Sequence, residues 1–305
     1  MPSSAPSHLP EQRILEQSVR LPTSGAVTAW AACRWWGATF FDGTEPDGRT
    51  PIPVPLAIGP RGKMRPDGAA SVSLERLDQS EIVTRHGLRI TSRERATFDE
   101  MRRTDDLRRA VEAIDMMAAA EQTSVVRMVR YVEQRRGWQR VALVREALSL
   151  ASEHSWSPTE TRLRLIWILD ARLPPPLVNC PILDPSGKLL GIADLLDPEA
   201  GLVVEYDGAD HRGASRHRKD VVKEHRLRQV GLEVTRVTGP DLSTPSAVVS
   251  RLLEARSRSR FEARADRRWL SHPRADVLEG RLHEREEREI WLRQPLPDLR
   301  ELRRW

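Results

Sequence analysis

The strongest constraint on this chain is the ordered set of secondary-structure signals between Ser157 and Arg256. The run Ser157-Pro158-Thr159-Glu160 is typical of a helix start, since proline is favoured at the first helical position and Ser and Glu can satisfy opposing backbone amides. Three strand-like runs, a basic helix that ends at Gly231, a fourth strand and a closing helix follow. The predicted helices are 157–171, 215–230 and 246–256, and the predicted strands are 177–183, 188–197, 202–207 and 232–238. This order predicts an α+β fold whose αβββαβ core carries a mixed four-stranded sheet.

The sequence before this unit favours a mostly helical region. Apolar residues recur at three- and four-residue spacing within 105–153, which indicates packed helices. Short β-leaning stretches are expected at 52–58, 69–74 and 88–91, and Ser92 is the expected N-cap of a helix over 94–103. We therefore divide the chain into an arm (1–24), a mostly helical domain with a small β portion (25–154), the αβββαβ domain (155–258) and a charged tail (259–305). The tail is expected to form solvated helices or to be partly disordered.

Composition excludes several classes of protein. The 305 residues include 49 Lys and Arg against 44 Asp and Glu, a formal charge of +5, and the pI near 9.7 favours polyanionic partners only mildly. Two distant cysteines, Cys33 and Cys180, provide neither a disulfide framework nor a zinc finger, so a cytoplasmic location is expected. Neither a secretory signal nor a membrane span is expected, because residues 1–22 lack an apolar core and Arg34 interrupts the most apolar stretch.

Carboxylates converge at the second and third predicted strands of the αβββαβ core. If residues 198–201 form the hairpin loop, counting back along the ladder places Asp194 directly opposite Glu205, and Asp207 points the same way as Glu205. Facing carboxylates destabilise a sheet unless positive charge lies between them, and a divalent cation such as Mg²⁺ or Mn²⁺ supplies that charge. The sequence therefore predicts a metal site formed by Asp194, Glu205 and Asp207.

Each of these residues also has a purely structural interpretation. Asp194 can cap a bulge, Glu205 can lie on the surface of an edge strand, and Asp207-Gly208 can form a turn. The third alternative is common, but the apolar run before Glu205 is typical of a central strand, where an unpaired carboxylate costs several kcal/mol. Glu160 fits a capping box with Ser157, although together with Asp194 and Glu205 it can instead belong to the catalytic site.

The segment after the carboxylates is strongly basic. Between His211 and Arg228, seven Lys and Arg stand against two acidic residues, which suggests that the ligand is a polyanion with phosphates. The nucleic-acid-binding candidates are Arg216, Arg218, Lys219, Lys223 and Arg236. His211 is the candidate for proton transfer, since it lies closest to the strand end. The alternative is a solvated helix face stabilised by salt bridges.

Together these residues resemble the PD-(D/E)XK core, the restriction-endonuclease-like fold. More narrowly, they resemble the bacterial domain of unknown function 559, which is related to the very-short-patch-repair mismatch endonucleases. The motifs that carry the resemblance are Ser157 to Arg164, Ala193-Asp194-Leu195, Val204-Glu205-Tyr206-Asp207-Gly208, His211, Asp220 and Val234-Thr235-Arg236-Val237. The resemblance implies Mg²⁺-dependent hydrolysis of phosphodiester bonds in DNA.

Residues 80–150 resemble, more weakly, the region that follows the winged helix in AbiEi-type antitoxins. The motifs are Gly87-Leu88-Arg89-Ile90-Thr91, Arg95, Asp99 and Arg102. The winged helix itself is missing or truncated here, so independent recognition of an operator is not implied. The lack of a Cys/His zinc site likewise means that mismatch specificity is not implied.

One departure concerns the catalytic lysine of the superfamily. The superfamily places Lys two residues after the Glu, whereas position 207 is Asp, as is usual in the narrower group. Lys219, Lys223 or Arg236 can replace it from neighbouring elements, or His211 can serve instead.

Three functions follow from this interpretation. The first is a Mg²⁺-dependent DNA endonuclease in which Glu160, Asp194, Glu205, Asp207 and His211 are the catalytic candidates. The second is a catalytically degenerate DNA-binding regulator in an antitoxin-like system, and the missing lysine favours it. The third is an interaction protein whose residues 26–150 and tail bind a protein partner or a second copy of the chain.

Overall fold

A computed structural model describes residues 9–208, 214–273 and 277–293. Over these residues the chain forms two mixed five-stranded sheets with helices packed against them, so the predicted α+β class is confirmed. None of the described helices is both long and apolar enough to cross a bilayer.

The first half of the chain contains the first sheet and six helices of the described part. Its elements are α1 (Pro10–Ser18), β1 (Ala26–Val27), α2 (Ala29–Trp36), β2 (Val54–Ala57), β3 (Ala70–Ser73), β4 (Ile82–Arg85), β5 (Leu88–Thr91), α3 (Arg93–Met101), α4 (Leu107–Ala119), α5 (Val125–Glu133) and α6 (Val141–Leu150). The strand order is β3-β2-β1-β5-β4, with β2–β3 and β1–β5 parallel. As predicted, Ser92 caps α3, since its side chain accepts a hydrogen bond from the Arg95 backbone N–H.

A buried ion network packs the helices of this half together. Arg95 is fully buried and donates to Asp99 at 2.8 Å and to Glu81 at 3.0 Å, while its guanidinium lies 4.7 Å from the Trp138 ring centroid. Arg102 donates to the other oxygen of Asp99 at 2.8 Å. Arg95, Asp99 and Arg102, three of the residues on which the weaker resemblance depends, are therefore paired with one another in the interior.

The second half begins at α7 and contains the second sheet. Its elements are α7 (Pro158–Leu165), a π-helical turn (Ile166–Asp170), β6 (Leu177–Leu183), β7 (Leu189–Asp197), β8 (Leu202–Asp207), α8 (Ala214–Gln229), β9 (Glu233–Thr238), α9 (Pro245–Arg258), β10 (Leu270–Ser271) and α10 (Leu278–Arg293). The predicted order of elements from 157 to 256 is found, with boundaries that differ by one or two residues except where the π-helical turn follows α7. Gly231, at φ +95°, ends α8 as predicted, since Leu232 N–H donates to the Leu227 carbonyl.

The second sheet has five strands in the order β10-β6-β7-β8-β9, so the prediction of four strands was wrong. The added strand, β10, pairs antiparallel with the end of β6 through Leu270 with Leu183 and Ser271 with Ile182. A two-residue strand has no periodic pattern that a sequence can reveal, and the neighbouring Trp269, which is buried, fixes it to the sheet.

Helices cover both faces of the second sheet. The apolar layer on the α7 and α9 side includes Leu163, Trp167, Leu195, Val204, Val237 and Leu252. The layer on the α8 side includes Leu196, Val203, Leu227 and Val234. Next to the hairpin loop, side chains of β7 and β8 therefore alternate between a face under α7 and α9 (Leu195, Val204) and a face under α8 (Leu196, Val203).

Part of the predicted solvated tail is packed helix. Leu278 and Leu282 of α10 are buried against Ala118 of α4. Arg127 of α5 forms a salt bridge with Glu279 of α10 at 3.1 Å. The two halves also meet at Asp115 of α4, which is fully buried and accepts hydrogen bonds from α7.

Candidate functional site

Four polar residues form a row across the second sheet, one on each of β6, β7, β8 and β9. They are Asn179, Asp194, Glu205 and Arg236. The strand pairs that fix the row are Val178 with Leu195, Cys180 with Ala193, Leu195 with Val204, and Glu205 with Arg236. Pairs on both sides of Asn179 place it level with Asp194. The recorded β7–β8 pairs confirm the predicted hairpin register as far as Leu195 and Val204. Counting one step further along both strands sets Asp194 opposite Glu205, and this pair stays a prediction.

Asp194 lies at the end of the β7–β8 ladder, close enough to Glu205 for its negative charge to act on that carboxyl. Glu205 turns towards α8, since Val204 next to it packs under α7 and α9 and Lys223 of α8 contacts it. The alternation of side chains is broken in β7 at this point, because Ala193 packs on the α8 side and Leu195 on the other side. The recorded β7–β8 ladder ends at Leu195 and Val204, and beyond it the Asp194 carboxylate accepts a hydrogen bond from Tyr206 N–H at 2.7 Å. An Asp side chain thus takes over as the acceptor for Tyr206 N–H where the ladder ends.

Glu205 is a carboxylate with little access to water. Its side chain is 18% exposed, and its Oε2 lies 2.5 Å from Lys223 Nζ. Its Oε1 is buried and makes no hydrogen bond with the described residues. Burial, and then the negative charge of Asp194, raise the pKa of Glu205 to about 7, although Lys223 and Arg236 act in the opposite direction.

Lys223 extends from α8 to Glu205 and passes over Gly191 of β7, which has no side chain. A Cβ atom on Gly191 would lie only 3.0 Å from Lys223 Cγ, so glycine at 191 leaves room for the lysine stem. The ammonium group therefore reaches Glu205 from the helix. Of the three lysine and arginine replacements that the sequence offered, Lys223 contacts Glu205, and the side chain of Lys219 lies outside the described residues.

Arg236 lies beside this pair on β9. Its guanidinium forms a salt bridge with Glu224 of α8 at 2.8 Å, and its Nε is buried without a partner among the described residues. A cleft of about 70 Å³ opens between β8, β9 and α8. Its lining residues are Glu205, Tyr206, Asp207, Lys223, Glu224, Leu227, Val234 and Arg236. The cleft thus brings together carboxylates and cations, which is the side-chain chemistry that a phosphate group and a cation require.

The other predicted site residues have different positions. Asp207 ends β8 two residues after Glu205 and lines the cleft. His211 lies outside the described residues. Arg216, Arg218 and Lys219 belong to α8, whose side chains the structure describes only from Val221 onwards, so their contacts stay predictions.

Half of the capping box predicted for Ser157 and Glu160 is present. Ser157 caps α7, since its Oγ accepts from the Glu160 backbone N–H at 3.2 Å. The Glu160 carboxylate accepts from Trp156 N–H at 2.9 Å, one residue before the N–H that a capping box uses. The same carboxylate accepts from Asn179 Nδ2 at 2.7 Å. Glu160 is therefore connected to the polar row through Asn179, and none of its recorded contacts is with Asp194.

Asn179 is a member of the row that the sequence analysis missed. It is buried within β6 and adopts φ +46°, a left-handed conformation that Asn tolerates better than most residues. Its amide donates to the His154 carbonyl and to Glu160, both at 2.7 Å. An Asn inside an otherwise apolar strand is the signal that could have identified it, because Asn is depleted from strands.

The carboxylates fit a hard divalent cation. Mg²⁺ is commonly held by one or two carboxylates together with waters and substrate phosphates, and Asp194 with the unpartnered oxygen of Glu205 offers that donor set. Within the described ranges, no group of three or more His, Cys, Asp and Glu residues is arranged to hold a metal ion.

Comparison of the chain with models of known protein families, with curated proteins and with solved structures finds no match.

Proposed function

We propose that residues 155–258 form a Mg²⁺-dependent endonuclease-like domain of the PD-(D/E)XK type that hydrolyses phosphodiester bonds in DNA. The observation that supports it most is the environment of Glu205, which lies close to Asp194, contacts Lys223 and keeps one buried oxygen without a partner. A buried carboxylate with an unsatisfied oxygen costs free energy in the folded protein. A binding function for that oxygen accounts for this cost.

Asp194 and Glu205 would hold the ion, Mg²⁺ or Mn²⁺, with Asp207 as a further carboxylate of the cleft. When bound, the ion polarises the phosphate and lowers the pKa of an attacking water. Lys223 orients Glu205 through its salt bridge and places positive charge at the edge of the cleft, where it can donate to a phosphate oxygen. Arg236 presents a guanidinium to the same cleft and steadies the phosphate.

The test is cleavage of supercoiled plasmid by the full chain in Mg²⁺. We expect Asp194→Ala and Glu205→Ala to lower the rate by about a hundredfold or more, and EDTA to abolish cleavage. The matched control is Glu199→Ala, which removes a carboxylate that is 72% exposed on the β7–β8 loop. Persistence of cleavage in both variants, or in EDTA, would remove the metal assignment.

Lys223 is tested separately. Lys223→Met should reduce cleavage strongly while Lys223→Arg keeps part of it, because the arginine retains the charge next to Glu205. Lys188→Met removes an exposed lysine from the β6–β7 turn and is the control. Equal rates for Lys223→Met and the control would show that Lys223 does not replace the missing lysine.

A catalytically degenerate DNA-binding regulator is the second candidate function. The observation that favours it is that Lys223 already neutralises Glu205, which lowers the demand for a cation there. Filter binding in Ca²⁺ and in Mg²⁺ separates the two. Salt-sensitive DNA binding without cleavage in either ion would support the regulator.

A further inference from the structure

The first sheet carries an exposed basic loop far along the chain from the proposed catalytic cleft. This basic loop, residues 58–69, connects the parallel strands β2 and β3. Arg61, Lys63 and Arg65 are exposed and occupy alternate positions in it. Within the part of the chain that the structure describes, none of the three side chains forms a salt bridge or a hydrogen bond. The loop therefore presents three adjacent cations without carboxylate partners.

The residues between the cations fix the shape of the loop. A Cβ atom on Gly62 would lie 2.6 Å from both Cγ1 and the carbonyl oxygen of Ile58, so the backbone at this glycine packs directly on a buried side chain. Met64 turns inwards and packs against the core of the first sheet. The three cations, in contrast, are exposed.

The base of the loop is also fixed. Arg20 donates to Asp67 at 2.7 Å and to the Arg65 carbonyl at 3.1 Å. Asp67 in turn accepts hydrogen bonds from Ala69 N–H and Ala70 N–H, each at 3.0 Å. The acidic residue of the loop is therefore used within the loop, and a ligand that binds the cations need not order the backbone first.

The chemistry of the loop selects a ligand class. Arg61, Lys63 and Arg65 lie within five residues and are exposed, which suits a polymer with closely repeated negative charges. A membrane surface fits less well, since interfacial binding also needs exposed apolar side chains, whereas Met64 is packed inwards. We propose that the basic loop is a contact site for the phosphate backbone of nucleic acid. This proposal rests on the proposed function only in its choice of nucleic acid as the ligand.

The experiment measures the affinity of the full chain for a fluorescent DNA duplex by anisotropy, without divalent ions, over a series of salt concentrations. The loop variant is Arg61→Gln/Lys63→Gln/Arg65→Gln. If each cation neutralises one phosphate, the slope of log K against log salt should become less negative by about 2.7, with weaker binding at low salt. The charge-conserving variant Arg61→Lys/Arg65→Lys should keep the wild-type slope.

The matched control is Arg136→Gln/Arg145→Gln/Arg172→Gln, which removes the same charge from three exposed arginines dispersed over the surface. We expect it to change the slope by less than one. A loop variant with the wild-type slope, or a control that loses as much as the loop variant, would overturn the proposal. Binding of anionic phosphatidylserine vesicles that depends on the loop, with an unchanged DNA slope, would assign it to membranes instead.

The two proposals fail in distinguishable ways. If the wild-type protein cleaves DNA and the loop variant keeps the wild-type slope, only the loop assignment fails. If the wild-type protein binds DNA through the loop and Asp194→Ala does not change cleavage, only the catalytic assignment fails. A wild-type protein without DNA affinity at low salt would overturn both.

Discussion

The titration of Glu205 has a consequence for stability that can be measured without any substrate. Its pKa rises from 4.5 to about 7 in the folded protein, mainly because the carboxyl is buried. A change of that size corresponds to about 3 kcal/mol. As pH rises above 4.5, the unfolded carboxyl ionises first, so the folded state binds more protons and loses stability until pH reaches about 7.

The perturbation that isolates this effect is Glu205→Gln, which keeps the shape of the side chain and removes its titration. Between pH 5 and pH 8 we expect the wild-type protein to lose about 2 to 3 kcal/mol of unfolding free energy relative to the variant. Urea denaturation followed by circular dichroism at several pH values measures this difference. Glu199→Gln, at an exposed position, should follow the wild-type curve within about 0.5 kcal/mol.

Adding Mg²⁺ extends the same assay. Near pH 8, Mg²⁺ should restore stability to the wild-type protein and leave Glu205→Gln little changed, because an ion that binds only the folded state stabilises it by mass action. Parallel stability curves for wild type and Glu205→Gln between pH 5 and pH 8 would refute the electrostatic argument. A wild-type protein that gains stability relative to the variant as pH rises would refute it as well.

Two further substitutions test the packing of the first half. Arg95→Met should lower the unfolding free energy by about 3 kcal/mol in urea denaturation, because Asp99 and Glu81 lose a fully buried partner. The control is Arg76→Met, which removes a side chain that is 75% exposed and should cost less than about 0.5 kcal/mol. An equal cost for the two variants would contradict a stabilising role for the buried ion network. Leu282→Ala should cost about 2 kcal/mol or more and speed hydrogen exchange in α10, whereas unchanged exchange would show that α10 is held by its salt bridges alone.

Much of the second sheet was predictable because its signals are local. A four-residue hairpin loop at 198–201 fixes the register of β7 and β8, and the predicted register is present from Asp197 and Leu202 to Leu195 and Val204. The strand β10 was not predictable, because pairing with β6 is a tertiary contact of two residues. The contact between α10 and the first half was not predictable for a similar reason. A charged sequence is typical of a solvated helix, and only the partner helix shows that Glu279 pairs with Arg127.

The candidate site was predictable in its carboxylates and only partly in its cation. Basic residues occur all along α8, so composition does not show which of them faces the sheet. Leu227 is a buried apolar residue of that helix, and Lys223, four residues earlier, lies on the same side. That spacing would have selected Lys223. Asn179 depends on a backbone conformation with φ +46°, which the sequence pattern of a strand does not indicate.

The segment after α9 contacts both halves of the chain. Residues 270–271 complete the edge of the second sheet, and α10 then covers Ala118 in the first half. A deletion that begins after Arg258 would therefore expose a strand edge in one half and an apolar patch in the other. This charged segment, whose sequence predicts a solvated tail, thus links β6 of the second sheet to α4 of the first half.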